Sequence, residues 1–359
     1  MKITLLYGGQ SAEHDISIIS AHNIAQSIMY DVYTVQPIYI TRAGEWIKGP
    51  LIDTSLPNSD LMRLVPAEEM TWGDDAKAST GQAMRPGELD REDNIVFPVL
   101  HGPNGEDGTI QGFLEVMGVP YVGAGVTASA IGMDKILSKR IFDQIGLPQV
   151  PYHAFDHRLW REDQEEIIQR IEGSLLYPLF VKPANMGSSV GISQVESSEA
   201  LIQAIENALQ YDHRIVVEQG ISAVECEVAI LGNEEAHISY VGKLIKDVAF
   251  YDYEEKYINN RIEMEIPAIL DPAVASKIQE YALRAYRAID GCGLSRVDFF
   301  VTSSQDIYIN EINTMPGFTG LSMYPVLWEK TGLTQRNLVE ELLQLALKKY
   351  EQKKGFKVE

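Results

Sequence analysis

Cysteine is scarce. Cys226 and Cys292 are the two in 359 residues, too few to staple a chain of this length, so each reads as a buried free thiol. Basic residues are outnumbered, with 30 Lys and Arg against 51 Asp and Glu, a net charge of −21 and a pI near 4.7. That balance excludes a protein that tracks a nucleic-acid backbone, which needs a broad basic surface to displace counterions. It leaves room for a private anion pocket lined by a few lysines. Long apolar runs are also missing. Residues 1–7 are mostly apolar but meet Gly8-Gly9, too soon for a signal-peptide core or a bilayer span, and no other stretch approaches about 18 apolar residues. Internal repeats and low-complexity tracts are absent. The expectation is a cytoplasmic protein with no membrane and no nucleic-acid partner. With 45% hydrophobic residues, the chain has material for two to three domains of about 100–200 residues each.

What is present is alternation. Residues 2–7 are extended, Ile16, Ile19, Ile24 and Ile28 have helical spacing, and 33–40 are extended again. Strand, helix, strand at this spacing is a βαβ unit and predicts a parallel sheet, which a strand at 94–100 joins. Residues 41–92 are acidic and broken by Gly49-Pro50, Pro57 and Pro86-Gly87, and predict a long, partly irregular excursion. A helix at 108–117 and a short strand at 120–122 follow. The next helix, 135–145, stops at Gly146-Leu147-Pro148. Strands are expected at 179–182, 191–194, 214–218, 225–231, 239–244, 294–301 and 307–313, and helices at 198–209, 272–289 and up to about 350. Lys348, Lys349, Lys353 and Lys354 read as a solvated helix end, where cations complement the dipole.

The chemistry concentrates in a few motifs. Arg296 and Asp298 share one strand face, as do Glu311 and Asn313. A four-residue hairpin loop, Ser303 to Asp306, would set Asp298 opposite Glu311 and Arg296 opposite Asn313. Two carboxylates and an amide facing one another are hard oxygen donors suited to Mg²⁺. Val181-Lys182-Pro183 followed by Gly187-Ser188-Ser189-Val190-Gly191 is a strand-end lysine beside a loop of small residues that can cradle phosphate, though it is no Walker A loop. Lys135, after Gly132-Met133-Asp134, is a second candidate phosphate lysine. Residues 123–128 (Gly-Ala-Gly-Val-Thr-Ala) fit a loose dinucleotide pattern, but the strand before them is short and no strand ending in an acid follows at the right distance. Residues 8–14 and 101–108 are glycine-bounded polar clusters at strand ends, where open α/β sheets bind ligands. Glu13 there is poised to accept from an amine, while His14 reads as an exposed helix residue.

In joint order and spacing these motifs resemble the D-alanine–D-alanine ligase family of the ATP-grasp fold. The resemblance runs from Gly8-Gly9 to Ser322 and includes Met133-Asp134-Lys135, the Tyr- and Glu-rich segment 250–257 and residues 310–322. It implies α/β and α+β architecture, with an N-terminal Rossmann-like parallel-sheet domain (1–130) followed by a two-part ATP-grasp module, a small central part (131–215) and a catalytic part (216–359). The implied activity is ATP-dependent joining of two D-alanines through a D-alanyl phosphate, for peptidoglycan precursor synthesis, by a homodimer.

The resemblance also assigns roles. Asp298, Glu311 and Asn313 would hold two Mg²⁺, for which Mn²⁺ can substitute. Lys135, Lys182 and Lys256 would meet phosphates, Glu225 the ribose and Glu218 the adenine pocket. Glu13, in a network with Ser188 and Tyr257, would take the first D-alanine's ammonium. Arg296 and the Gly317 N–H would stabilise the tetrahedral oxyanion, and Ser322 would bind the second carboxylate. Residues 247–261 resemble a closing loop, and Tyr257 matches dipeptide-forming members. The alternatives are D-alanine–D-lactate or D-alanine–D-serine ligation, a nicotinamide oxidoreductase using residues 123–128, and a non-catalytic nucleotide sensor. The acidic segment 41–92 departs from shorter family members.

Overall fold

The computed structural model describes residues 1–66, 79–245 and 263–357. The chain runs β1 (Lys2–Gly8), α1 (His14–Ser27), β2 (Thr34–Ile40), β3 (Trp46–Lys48), β4 (Leu64–Pro66), β5 (Ser79–Met84), β6 (Asn94–Val99), α2 (Thr109–Met117), α3 (Val126–Met133) and α4 (Lys135–Gln144). Next come β7 (Tyr152–Asp156), α5 (His157–Glu162), α6 (Gln164–Glu172), β8 (Leu179–Pro183), β9 (Ser193–Val195), α7 (Ser198–Ala208) and β10 (Arg214–Gln219). The last part holds β11 (Ala223–Gly232), β12 (Ala236–Ile238), β13 (Gly242–Ile245), β14 (Glu263–Glu265), α8 (Pro272–Ala288), β15 (Leu294–Thr302), β16 (Ile307–Asn313), α9 (Met323–Thr331) and α10 (Gln335–Lys354).

Among the described residues these strands form three sheets. The first has the order β4-β5-β3-β2-β1-β6, with β1 parallel to both β2 and β6. Gly8 ends β1 at φ +91°, and a Cβ there would lie 2.2 Å from Ile40 O. Only glycine turns the chain toward the crevice at that point. The excursion is more regular than its composition suggests. Its described parts include β3, β4 and β5, which extend the sheet past β2, Trp46 opposite Met84. β3 and β4, three residues each, are too short for an alternation signal, and β5 (Ser-Thr-Gly-Gln-Ala-Met) carries little apolar alternation. The predicted strand at 120–122 is reduced to one bridge, Tyr121 to Val96.

The second sheet, β7-β10-β8-β9, is antiparallel. The expected strand at 191–194 begins two residues later, because Gly191 is left-handed (φ +73°) and closes a turn. The third sheet carries β14-β13-β11-β15-β16 with β12 on β11. Leu338, Val339, Leu342 and Leu343 of α10 share one core with Ile3, Leu5 and Phe97 of the first sheet. The last helix therefore closes over the first strands, which overturns part of the solvated-tail reading. Lys349 Nζ donates to Gly123 O at 2.7 Å and lies 3.7 Å from the Tyr121 ring centroid. Lys353 pairs with Glu115, and Tyr350 Oη donates to Gly118 O. Lys348 and Lys354 stay exposed. Helical periodicity marks the apolar face, but not that its neighbours meet a glycine turn over 200 residues away in sequence.

Candidate active site

The β15–β16 hairpin forms one wall. Arg296 lies opposite Asn313 and Asp298 opposite Glu311, as expected. The route to that register differs. Thr302 N donates to Asp306 O, so the loop has three residues, 303–305, with Gln305 left-handed at φ +68°. A bulge then inserts Asn310, since Phe299 faces Ile309 while Asp298 faces Glu311. The extra residue offsets the shorter loop. Asn310 and Glu311 both line the cavity, while Ile309 and Ile312 stay in the core.

Arg296 is held tightly on this wall. Its Nε donates to Asp298 Oδ1 at 2.7 Å and its Nη2 to Oδ2 at 2.7 Å, the planar fork of a bidentate pair. Glu227 Oε2 is 2.8 Å from Nε. Burial works against the guanidinium's charge, but the surrounding carboxylates, Asp298 first, hold its pKa well above normal. Glu227 was absent from the sequence reading. The signal was there: it follows Glu225 by two on a strand, so both side chains point to one face, and both line the cavity.

The opposite wall is cationic. Lys182, at the end of β8, lies 2.5 Å from Glu218 Oε2, and Lys139, on α4, lies 2.8 Å from Oε1. Burial alone would raise the Glu218 carboxyl, yet the two ammoniums hold it at about 2. Burial likewise opposes charge on Lys182, and Glu218 overrides it, raising that pKa. Glu218, expected as an adenine contact, therefore also bridges two lysines. Lys135 donates to Met186 O at 2.7 Å and sits 4.0 Å from Glu311 Oε2; burial lowers its pKa. Asp134 caps α4 through the N–H groups of Ile136 and Leu137 and pairs with Arg214 at 2.6 Å, fixing where Lys135 starts. Lys139 escaped notice although it follows Lys135 at i+4, the same-face spacing.

A third cluster joins the parts. Ser188 Oγ donates to Glu13 Oε1 at 2.5 Å. Ser188 and Ser189 are both left-handed (φ +48° and +59°), strain that turns the 187–191 loop toward α1. A Cβ on Gly187 would lie 2.8 Å from Glu13 Oε2, so a larger residue there would push that carboxylate aside. His14 is buried, not exposed. Its Nδ1 lies 2.7 Å from Gly9 O, which can only accept, so Nδ1 carries the proton and Nε2 accepts from Tyr39 Oη at 2.9 Å. The chain past β16 is pinned to α1. Phe318 N donates to Ser20 Oγ, Asn23 Nδ2 to Phe318 O, and the buried His101 reaches Met315 O through Nδ1. Ser322 Oγ accepts from Thr319 N at 2.9 Å and would lie 2.8 Å from a Cβ on Gly317. Asn313 Oδ1 accepts from Met315 N.

Two cavities, of about 250 and 780 Å³, adjoin here. Lys135, Lys182, Glu218, Glu225 and Asp298 line the first. Glu13, Asn313, Gly317 and Ser322 line the second. Gly187, Ser188, Arg296 and Glu311 belong to both. Tyr257, Lys256 and the rest of the expected closing loop to residue 261 lie outside the described residues. Residues 123–128 are elsewhere: Gly123 O is taken by Lys349, and the bridge at Tyr121 replaces the strand a dinucleotide fold requires.

Comparison with known proteins places the chain among described relatives. The family described as D-ala D-ala ligase N-terminus matches residues 2–124, and D-ala D-ala ligase C-terminus matches 141–344. The D-alanine–D-alanine ligases of Enterococcus hirae and Enterococcus faecalis are 55% and 53% identical, over 99% and 98% of this chain and 99% and 100% of theirs. The solved D-alanine–D-alanine ligase of Coxiella burnetii superposes with a TM-score of 0.81 at 34% identity, covering 99% of this chain and 96% of its own. The VanG D-Ala:D-Ser ligase of Enterococcus faecalis gives 0.80 at 34%, covering 96% and 99%.

Proposed function

Because the chain belongs to the D-alanine–D-alanine ligase family, we infer that the two adjoining cavities are a single active site that joins two D-alanines at the expense of ATP. D-lactate and D-serine as second substrate are not favoured, since the relatives at 55% and 53% identity are D-alanine–D-alanine ligases while the D-serine enzyme stands at 34%. The observation that carries the reading is the shared rim. Gly187, Ser188, Arg296 and Glu311 belong to both cavities, where a terminal phosphate from one side would meet a carboxylate from the other.

In this reading the nucleotide lies in the first cavity, its phosphates toward Lys135 and Lys182, with Glu225 at the ribose and Glu218 at the adenine. Lys256 belongs to this set by sequence. Glu13, steadied by Ser188 and, by the family resemblance, joined by Tyr257, takes the first D-alanine's ammonium and aims its carboxylate at the terminal phosphate. Oxygen of that carboxylate forms a bond to phosphorus as ADP departs. The second D-alanine, its carboxylate at Ser322, attacks the acyl carbon through its amine, and Arg296 and the Gly317 N–H receive the oxyanion before phosphate leaves. Such donors are each worth about 10²–10³ in rate. Phosphoryl transfer itself is mainly positioning and charge neutralisation.

The donor set fits a divalent cation. Asp298 and Glu311 are opposed across the hairpin with Asn313 beside them, oxygen ligands that Mg²⁺ or Mn²⁺ accepts while keeping substrate phosphates. Asp298, Glu311 and Asn313 would hold two such ions, which would neutralise phosphate charge. We further propose a cytoplasmic homodimer, with domains divided near residues 130 and 215. One sheet centred in each part supports the division, though β10 crosses the second boundary. No helix among the described residues is long and apolar enough to cross a membrane.

The test is phosphate release from ATP with Mg²⁺ and either D-alanine or L-alanine. Release that needs the D-isomer, with D-alanyl-D-alanine identified by mass, is expected. Release only when D-lactate or D-serine accompanies D-alanine would overturn the substrate assignment. Gel filtration with light scattering tests the dimer.

A further inference from the structure

We propose that Lys139 is a positioning residue of the nucleotide subsite: it is the standing counter-ion of Glu218, which lets Lys182 leave that carboxylate for a phosphate. The inference rests on the reading of Lys182 as a phosphate contact.

Three charges lie in a row, Lys182 and Glu218 on the wall of the first cavity and Lys139 behind them. Lys139 Nζ is 2.8 Å from Glu218 Oε1, and Lys182 Nζ is 2.5 Å from Oε2. Their exposures differ in a telling way. The Lys139 side chain is 1% exposed and does not line the cavity, whereas Lys182 does. Lys139 Nζ also lies 5.0 Å from the centroid of the Tyr152 ring. Lys139 therefore has no route to a ligand, and its charge acts through Glu218.

The consequence follows from the cost of isolated buried charge. With Lys182 as its sole partner, Glu218 would be stranded whenever that lysine swung toward a phosphate, and stranding a buried carboxylate is severely unfavourable. With one ammonium on each oxygen, Lys182 departs while Glu218 stays paired. Two ammoniums to one carboxylate also leave the row with a surplus positive charge, which an anion in the cavity can meet. The register supports the same division. Lys182 faces Val216 across β8 and β10, so Glu218 stands two residues further on the same face, within reach but not fixed opposite.

Calorimetric titration of the purified protein with ADP and with adenosine, in the presence of Mg²⁺, separates the roles, because adenosine lacks the phosphates that Lys182 would meet. In Lys139→Met, ADP binding is expected to weaken about tenfold with adenosine binding unchanged. In the double variant Lys139→Met/Glu218→Gln, the ratio of adenosine to ADP dissociation constants is expected to return to within about threefold of the parent's, since nothing then retains Lys182. Equal losses for both ligands, or no loss for either, would overturn the proposal and leave Lys139 a structural charge. Should Lys139→Met fail to fold by circular dichroism, Lys139→Gln removes the charge while keeping a polar side chain beside Glu218, and the same contrast is read. If the parent itself does not prefer ADP to adenosine, the phosphate assignment of Lys182 fails with it. A parent with that preference and an unaffected variant defeats the role of Lys139 alone.

Discussion

Arg296→Met is the perturbation for which the structure gives the most definite numbers. Glu227 lies directly opposite Asp298 in the β11–β15 register, and their side chains are 9% and 13% exposed. Removing the guanidinium leaves two opposed carboxylates about 5 Å apart at Cβ. At an effective dielectric near 20 their repulsion is about 3 kcal/mol, within the roughly 3–5 kcal/mol found when one partner of a buried pair is deleted. An unfolding entropy of about 2.1 cal/mol/K per residue over 359 residues converts this to a fall in Tm of about 4–7 °C. Thermal unfolding near pH 8 should show that deficit, and excess MgCl₂ should recover part of it by placing a cation among Asp298, Glu311 and Glu227. Lowering the pH to about 5 should narrow the gap to the parent, because one proton shared between opposed carboxylates relieves their repulsion. Ligation should fall about 10²–10³-fold. A variant that melts with the parent, or whose deficit ignores both Mg²⁺ and pH, would refute the reasoning.

Glu13→Gln should raise the KM for the first D-alanine about 10–100-fold and Ser188→Ala by less, both leaving the KM for ATP alone; a matching shift in ATP would place Glu13 elsewhere. Lys349→Met removes the bond to Gly123 O and the contact with Tyr121, and should cost about 1–3 kcal/mol, read as faster hydrogen exchange at the end of α10; unchanged exchange would show that α10 does not depend on that anchor. Burial lowers the pKa of His14 below its ordinary 6.5, so the unfolded chain takes up the proton first as the medium acidifies. Its stabilisation is present above that value and is lost as pH falls toward the lowered folded value. His14→Gln should therefore flatten the decline of Tm below about pH 6.5, and an unchanged slope would assign that decline to other groups.

Much of this was legible in the residues. The βαβ opening, the glycine turns and the facing of Asp298 by Glu311 all follow from period and loop chemistry, which are local. What escaped was set by distant contacts. His14 looked like a surface residue because an N-terminal helical histidine is usually solvated, whereas Tyr39, distant in sequence, packs its ring against it and hydrogen-bonds it. Lys139 and Glu227 carry spacing signals, but spacing does not say which charges meet in the interior. Lys349 reads as solvated until the Gly118–Gly123 turn is seen beneath it. The hairpin was right for two compensating reasons, a loop one residue shorter and a strand one residue longer, and neither is visible in an alternation pattern.

That extra residue has a consequence for how the chain can change length. Asn310 is spare to the pairing. Without it, Ile309 would run straight into Glu311, with Asp298 still opposite Glu311, Arg296 still opposite Asn313, and Ile309 and Ile312 still in the core. Loss or gain of a residue between Glu311 and Asn313 would instead turn one of those side chains to the other face. Loss of Asn310 alone is therefore compatible with the pairing, whereas a change of length beyond Glu311 is not.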